Sequence, residues 1–331
     1  MKASIRIGIV GWGHSAKTFY RILSKNKNVD IVGIYVRSSQ IEQGMLFFNN
    51  FNEFLNQNLD AIVIAIQPNY QFEYIIKAFE NNLHVLCEKP IATKNSDIDD
   101  ILLAWRKSNK IGMINFCYRL NEQFVSFRNM LKGNIIGDIN FIKAEWILKN
   151  RLNLDLTTHW KCQKEFGGGM LNNFGSHLVD FLIQEGKDIK LLGKSQQTLY
   201  PNRLNESGVN GTCSGDEVST LLMEVDKIPV TIHLSSISDI NQGLKVVAYG
   251  TKGTIELQST RKTSSGFPYA VNLIINNRCK EVDRGNCEDD ATYLYQKVTD
   301  KFVVSIMNNI NSQDISPSIE DGLKTFNIIN N

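Results

Sequence analysis

Apolar and polar residues between Gly167 and Gln184 alternate with a helical period of about 100° per residue, which predicts one mostly buried helix carrying a polar stripe. Asn173, His177, Asp180 and Gln184 share a narrow face. Phe174, Leu178, Phe181 and Leu182 fill the flank beside it, and Val179 and Ile183 carry the apolar surface round the back. A buried stripe of this kind needs partners, because an unpaired polar group in an apolar interior costs about 1 to 3 kcal/mol. Read for stability alone, it is a network that pins a core helix. The triplet Gly167-Gly168-Gly169 just upstream favours a site instead, since glycines are a poor choice for rigidity and let backbone come close to a ligand.

The amino-terminal third shows short apolar runs separated by turns and helical patterns. Ser4 to Val10 reads as a strand that runs into Gly11-Trp12-Gly13-His14-Ser15-Ala16 and then a helix through Leu23. This is the dinucleotide pattern G-x-G-x-x-A in its strand-turn-helix context. Gly11 permits the tight turn, Gly13 lets a pyrophosphate approach the backbone, and Ala16 keeps the helix close to the sheet. The phosphates then sit at a helix amino terminus, where free N–H groups and the dipole favour anions. A second strand, Val29 to Tyr35, would end in an acid about 20 residues past the glycine turn if the ribose 2′-hydroxyl of NAD were to be held. The chain reads Val36-Arg37-Ser38-Ser39 there, a guanidinium and hydroxyls suited to a 2′-phosphate, so NADP is expected, with NAD possible. The alternative for Arg37 is a solvated residue at a strand end.

Ala61 to Ile66 is a continuous apolar run of the kind buried on both faces of a parallel sheet. Gln67-Pro68-Asn69 forms a turn after it, followed by a helix through Phe79. The strand Leu83 to Cys87 then leads into Glu88-Lys89-Pro90, and Gly112 to Phe116 is a further strand. Ligands of open α/β sheets bind outside the carboxyl ends of the strands, where Lys89 emerges and can donate to a substrate oxygen. Otherwise Lys89 pairs with Glu88 at the surface.

Beyond Tyr118 the β-branched and aromatic content predicts strands at 141–148, 217–225, 230–236, 245–249 and 271–275. Gly137-Asp138 and Lys252-Gly253 read as turns. The stretch 150–166 is a polar loop with Arg151, His159, Trp160, Lys161 and Lys164, whose cations suit an anionic group on a ligand. Two domains are expected, a dinucleotide-binding Rossmann domain over 1–118 and a substrate-binding and oligomerisation domain over 119–331.

Taken together, Gly11-Trp12-Gly13, the segment His84 to Pro90, Tyr118-Arg119, Gly167 to Asp180 and Val247 to Thr254 resemble the glucose-fructose oxidoreductase and inositol dehydrogenase (Gfo/Idh/MocA) family. The likeness runs from residue 5 to about residue 326. It implies a doubly wound parallel sheet followed by an α+β domain with an open, mostly antiparallel sheet, whose outer face commonly forms a dimer contact. It places Lys89 and His177 beside the nicotinamide as the acid–base pair, with Asn173 orienting the imidazole. Glu88 and Gln67 to Asn69 fall on the cofactor side, and Arg119 and Trp160 on the substrate side. It implies an NAD(P)-dependent oxidoreductase moving hydride between the nicotinamide and a secondary alcohol or carbonyl of a sugar-like substrate, some of these being nucleotide-linked. The alternatives are an NAD-dependent glycosidase of the same fold and a non-catalytic dinucleotide-sensing protein. Three departures stand out. Asn173 occupies a position that is aspartate in many family dehydrogenases, Phe72 stands near a common histidine position, and the connection 39–60 is short enough to trim its helix.

Composition narrows the partners. The chain has 331 residues and a net charge of +2, with no cationic block interleaved with aromatics, so a nucleic-acid surface is not expected. Six cysteines without a C-x-x-C pair suit a reducing, cytoplasmic compartment, and Cys87 reads as core. The five histidines, His14, His84, His159, His177 and His233, lack metal-ligand spacing, so no metal is expected. No apolar run is long enough to span a membrane, and Met1 to Gly8 lacks a signal-peptide core. An open sheet face left exposed as an apolar patch would favour a homo-dimer or homo-tetramer.

Overall fold

Largely apolar strands build the first sheet. The structure, a computed structural model, describes residues 4–38, 44–149, 159–204, 210–260, 268–285 and 291–330. Among these, β1 (Ile5–Val10), β2 (Val29–Tyr35), β3 (Phe47–Phe48), β4 (Ala61–Ile64), β5 (His84–Cys87) and β6 (Gly112–Ile114) form an all-parallel sheet in the order β3-β2-β1-β4-β5-β6. Ile7, Ile9, all of β4 and Val85 to Cys87 are fully buried, as strands covered on both faces must be. Helices α1 (His14–Leu23), α2 (Phe51–Leu55), α3 (Pro68–Glu80) and α4 (Asp97–Ser108) connect the strands. Between β2 and β4 the only helix among the described residues is the five-residue α2.

Local chemistry sets the helix ends. Asn50 caps α2 by accepting from the N–H groups of Asn52 and Glu53. Pro68 opens α3, where its missing N–H costs nothing. The first turn of α4 carries Asp97, Asp99 and Asp100 and its last turn Arg106 and Lys107, matching the helix dipole. Asn109, left-handed at φ 53°, stops it.

The chain divides into two units, Met1–Cys117 with Tyr295–Asn327, and Tyr118–Leu294 with Ile328–Asn331. Residues from α7 (Ala291–Met307) and α8 (Ile319–Asn330) return to the first unit for an apolar reason: Ile319, Leu323 and Phe326 share its core with Ile91, Trp105 and Ile114.

In the second unit α5 (Glu122–Lys132) precedes β7 (Ile139–Ile147), and α6 (Ser176–Ile183) precedes β8 (Ile189–Gln197). A small hairpin, β9 (Asn202–Leu204) with β10 (Asn210–Thr212), leads to β11 (Val218–Val225), β12 (Ile228–Ser235), β13 (Gly243–Gly250), β14 (Thr254–Ser259), β15 (Tyr269–Ile275) and β16 (Arg278–Arg284). The large sheet has the order β16-β15-β14-β13-β7-β12-β11-β8 and is antiparallel apart from β12 with β7. One face is apolar: Ala144, Trp146, Leu221, Met223, Ile232, Leu234 and Val246 are buried. Phe124 of α5 packs edge-on against Phe181 of α6 and Tyr269 of β15, at 4.9 and 5.2 Å between ring centroids.

The opposite face is not the apolar patch expected. Register places Thr220, His233, Glu145, Lys245 and Gln258 in one row and Leu222, Thr231, Lys143, Val247 and Glu256 in the next. Ion pairs Lys143–Glu145 at 3.0 Å and Lys245–Glu256 at 2.6 Å lie across it, with Phe141 and Leu222 the exposed apolar members. No helix among the described residues is long and apolar enough to cross a membrane.

Gly8 in β1 shows how tightly the first sheet is covered. A Cβ there would lie 2.3 Å from the ring of Phe54, a fully buried residue of α2. Gly8→Val should therefore overpack this layer and lower stability by about 1–3 kcal/mol, read as a lower urea midpoint with an unchanged m-value.

Candidate functional site

At the carboxyl end of β1 the chain turns through Gly11, whose φ of +102° and a Cβ position 2.5 Å from the Ala65 carbonyl oxygen together demand glycine. Gly13 differs, because a Cβ there would meet nothing within 4 Å. It stands at the cap of α1 and offers no side chain to the first N–H groups, those of His14, Ser15 and Ala16. The turn thus leaves open space beside uncapped donors, the geometry a phosphate requires.

Next to it lies a cavity of about 340 Å³ whose walls include Gly11, Trp12, Val36, Arg37, Ser38 and Tyr74. Trp12 is held edge-on against Tyr20 and Phe47, at 5.4 and 5.5 Å. The Arg37 guanidinium lies 3.6 Å over the ring of Tyr70, a cation–π contact. Its hydrogen bond and charge, with a further hydrogen bond from Asn69, hold the Tyr70 hydroxyl below its ordinary pKa. Asn69 Oδ1 is buried and has no hydrogen-bond partner in the protein. Gln67 caps α3 without a side-chain bond. Open glycine, uncapped helix start, cavity and orphaned acceptor together fit a dinucleotide. Ser39 and Arg151, with residues 150–158 of the polar loop, lie outside the described residues.

The loop after β5 is pinned from several sides. Glu88 is buried, and its Oε1 accepts from Asn115 Nδ2 at 2.9 Å and from the Tyr295 hydroxyl at 2.6 Å. Gln71 of α3, fully buried, donates to the Pro90 carbonyl at 3.0 Å and accepts from the Cys87 thiol at 2.5 Å. Burial first, and the Glu88 charge second, push the Cys87 thiol well up, so it stays protonated and belongs to the core. Lys89 is half-buried on this loop, joined to Pro90 by a cis peptide. Tyr295 is the member that sequence reasoning missed, since nothing local marks a tyrosine so far along the chain as a partner of Glu88.

In the second unit the polar helix is not regular. Leu171–Gly175 is a π-helical turn, and α6 begins only at Ser176. Such turns are rare overall and are frequent at functional sites. The glycine triplet upstream serves close packing. Gly167 and Gly169 have φ of +82° and +100°, and a Cβ on Gly168 would lie 2.5 Å from the Lys161 carbonyl. One on Gly169 would lie 2.1 Å from Asp216 Oδ1. Asp216 takes the place of a cap, accepting from the Leu171 N–H at 2.8 Å and the Ser219 hydroxyl at 2.5 Å. The backbone approach that was expected for a ligand is thus made to the chain itself.

Each member of the stripe has a defined place. Asn173 donates through Nδ2 to the carbonyls of Gly169 at 2.7 Å and Lys161 at 3.4 Å, beside the short turn that carries Trp160. The His177 ring, 9% exposed, meets Tyr118 edge-on at 4.7 Å. Gln184 accepts from Arg128 at 2.6 Å. Asp180 takes both Nε and Nη2 of Arg119, at 2.6 and 2.5 Å, with exposures of 1% and 5%. The guanidinium assigned to substrate is therefore gripped from within the fold, one helical turn from His177.

Removing one partner of such a pair strands a buried charge. Asp180→Ala should lower the unfolding free energy by about 3–5 kcal/mol, whereas the double change Arg119→Met with Asp180→Leu should recover most of it; chemical denaturation of the three chains checks the order.

Comparison with known proteins gives the family. The oxidoreductase family with an NAD-binding Rossmann fold, GFO/IDH/MocA, matches residues 5–116, and the family's carboxyl-terminal domain matches residues 124–256. The chain belongs to this family and is an NAD(P)-binding oxidoreductase. It is similar to trans-1,2-dihydrobenzene-1,2-diol dehydrogenase of Xenopus laevis, at 26% identity over 76% of this chain and 74% of that protein. It is also similar to 2,7-anhydro-N-acetylneuraminate hydratase of Escherichia coli, at 27% identity over 79% and 69%. Among solved structures, levoglucosan dehydrogenase in complex with NADH and L-sorbose shares the fold, with a TM-score of 0.86 over 98% of this chain and 95% of that one at 15% identity.

Proposed function

We propose that this protein is an NADP-preferring oxidoreductase acting on a secondary alcohol or carbonyl of a sugar-like substrate. The observation that carries the reading is the Glu88-Lys89-Pro90 loop, clamped by Gln71, Asn115 and Tyr295 at the same carboxyl end of the parallel sheet as the open Gly11–Ala16 turn. The dinucleotide supplies the hydride chemistry when bound. The N–H groups of His14, Ser15 and Ala16 hold its phosphates, and Asn69 offers an acceptor to a ribose or amide group. Arg37 and Ser38 receive the 2′-phosphate, with the Tyr70 ring keeping the guanidinium flat at the cavity mouth. Lys89 donates to the substrate oxygen as negative charge grows on it, and His177 takes or returns the proton. Asn173 shapes the turn before His177 through its bonds to backbone carbonyls, and Arg119 positions α6 through Asp180. The polar rows of the open sheet face suit a homo-oligomer contact of mixed polar character.

The cofactor preference is read by fluorescence titration. NADPH should bind more tightly than NADH, and Arg37→Ala should narrow the difference; equal or tighter NADH binding by the unmodified chain sinks the preference. For the chemistry, Lys89→Ala and His177→Ala should each lower turnover by about 10²-fold or more while NADPH binding survives. Full turnover by either variant removes the role assigned to that residue. The relative named as a hydratase motivates a second reading, an oxidation and re-reduction with no net redox change. Product formation from a sugar without net consumption of NADPH would decide for it.

A further inference from the structure

Three hydrogen bonds join distant parts of the first unit. The Tyr295 hydroxyl lies 2.6 Å from Glu88 Oε1 and 3.1 Å from Ser15 Oγ, and Asn115 Nδ2 lies 2.9 Å from the same carboxylate oxygen. Ser15 belongs to the first turn of α1, and Glu88 precedes Lys89. A phenol has one proton. The shorter bond, to a buried carboxylate, takes it, because charge-assisted bonds are the stronger ones. Burial and the Glu88 charge also keep the phenol protonated. Ser15 is therefore the donor in the other bond, and the order of donation is Ser15 to Tyr295 to Glu88. The Tyr295 ring is fixed by Phe19, fully buried in α1, at 4.8 Å.

We propose that Tyr295 is a positioning residue that couples the phosphate-binding turn to the Glu88-Lys89-Pro90 loop. The coupling follows from competition for one proton. A phosphate arriving at the start of α1 is a better acceptor for the Ser15 hydroxyl than a phenol oxygen is. When Ser15 turns to it, Tyr295 loses its donor and its bond to Glu88 adjusts, so cofactor occupancy is reported to the loop that carries Lys89. This rests on the dinucleotide reading given above.

A double-mutant cycle tests it. Ser15→Ala, Tyr295→Phe and the double variant are titrated with NADPH, using quenching of Trp fluorescence. The effect of Ser15→Ala on the dissociation constant should differ about fivefold or more between the Tyr295 and Phe backgrounds. In parallel, acylation of Lys89 by acetic anhydride, measured by peptide mass spectrometry against the exposed Lys77, should change several-fold in both single variants without any dinucleotide present. Additive effects on NADPH binding, or a Lys89 rate unmoved by either change, overturn the coupling. If Tyr295→Phe does not fold, the Lys89 rate in Ser15→Ala decides alone. Failure of the unmodified chain to bind either NADPH or NADH removes the dinucleotide reading and this proposal with it, whereas additive effects with NADPH bound remove the coupling only.

Discussion

A buried guanidinium on a buried carboxylate fixes the helix that carries His177 in the second unit. Arg119 and Asp180 are almost wholly removed from water, and each would be costly there alone. Their bidentate geometry fixes distance and angle together. Asp180 lies three residues after His177 in α6, so the short turn carrying Arg119 sets the rotation of the helix. The neighbouring Tyr118 packs on the His177 ring itself. Two consecutive residues thus hold one helix by a salt link and a ring contact, which leaves the imidazole little freedom to drift.

Much of the parallel sheet was legible because its strands are largely apolar runs, a signal that survives without context. The second sheet was read less completely, and its edges explain why. β8 and β16 are the outermost strands, and their sequences, Ile189 to Gln197 and Arg278 to Arg284, are rich in lysine, arginine, glutamine and glutamate. Edge strands carry charge to discourage further pairing, and that charge also erases the alternation that marks a strand. Every interior strand apart from β14 was visible, with ends displaced by two residues at most.

The candidate site was legible where chemistry is local and obscure where it is made by distance. Gly11 and Gly13 could be placed from spacing, yet only the structure separates their duties, one crowded by Ala65 and the other facing open space. The wheel drawn through Asn173, His177, Asp180 and Gln184 assumed a uniform helix. The π turn at Leu171–Gly175 interrupts it, where the Leu171 N–H bonds Asp216 and the N–H groups of Gly168 and Gly169 just upstream bond the carbonyls of Gln163 and Lys161. Asp216, Gln71 and Tyr295 carried no sequence signal, since each acts on a segment far from it or across a turn of chain.

The return of Tyr295–Asn327 to the first unit has a consequence for how the protein is made. The strands of the parallel sheet leave the ribosome well before Ile319, Leu323 and Phe326, which complete their core. At about 5–20 residues per second, the roughly 200 residues in between take about 10–40 s. For that interval the apolar surface around Ile91, Trp105 and Ile114 waits uncovered, and a nascent chain in this state is a natural client for a chaperone.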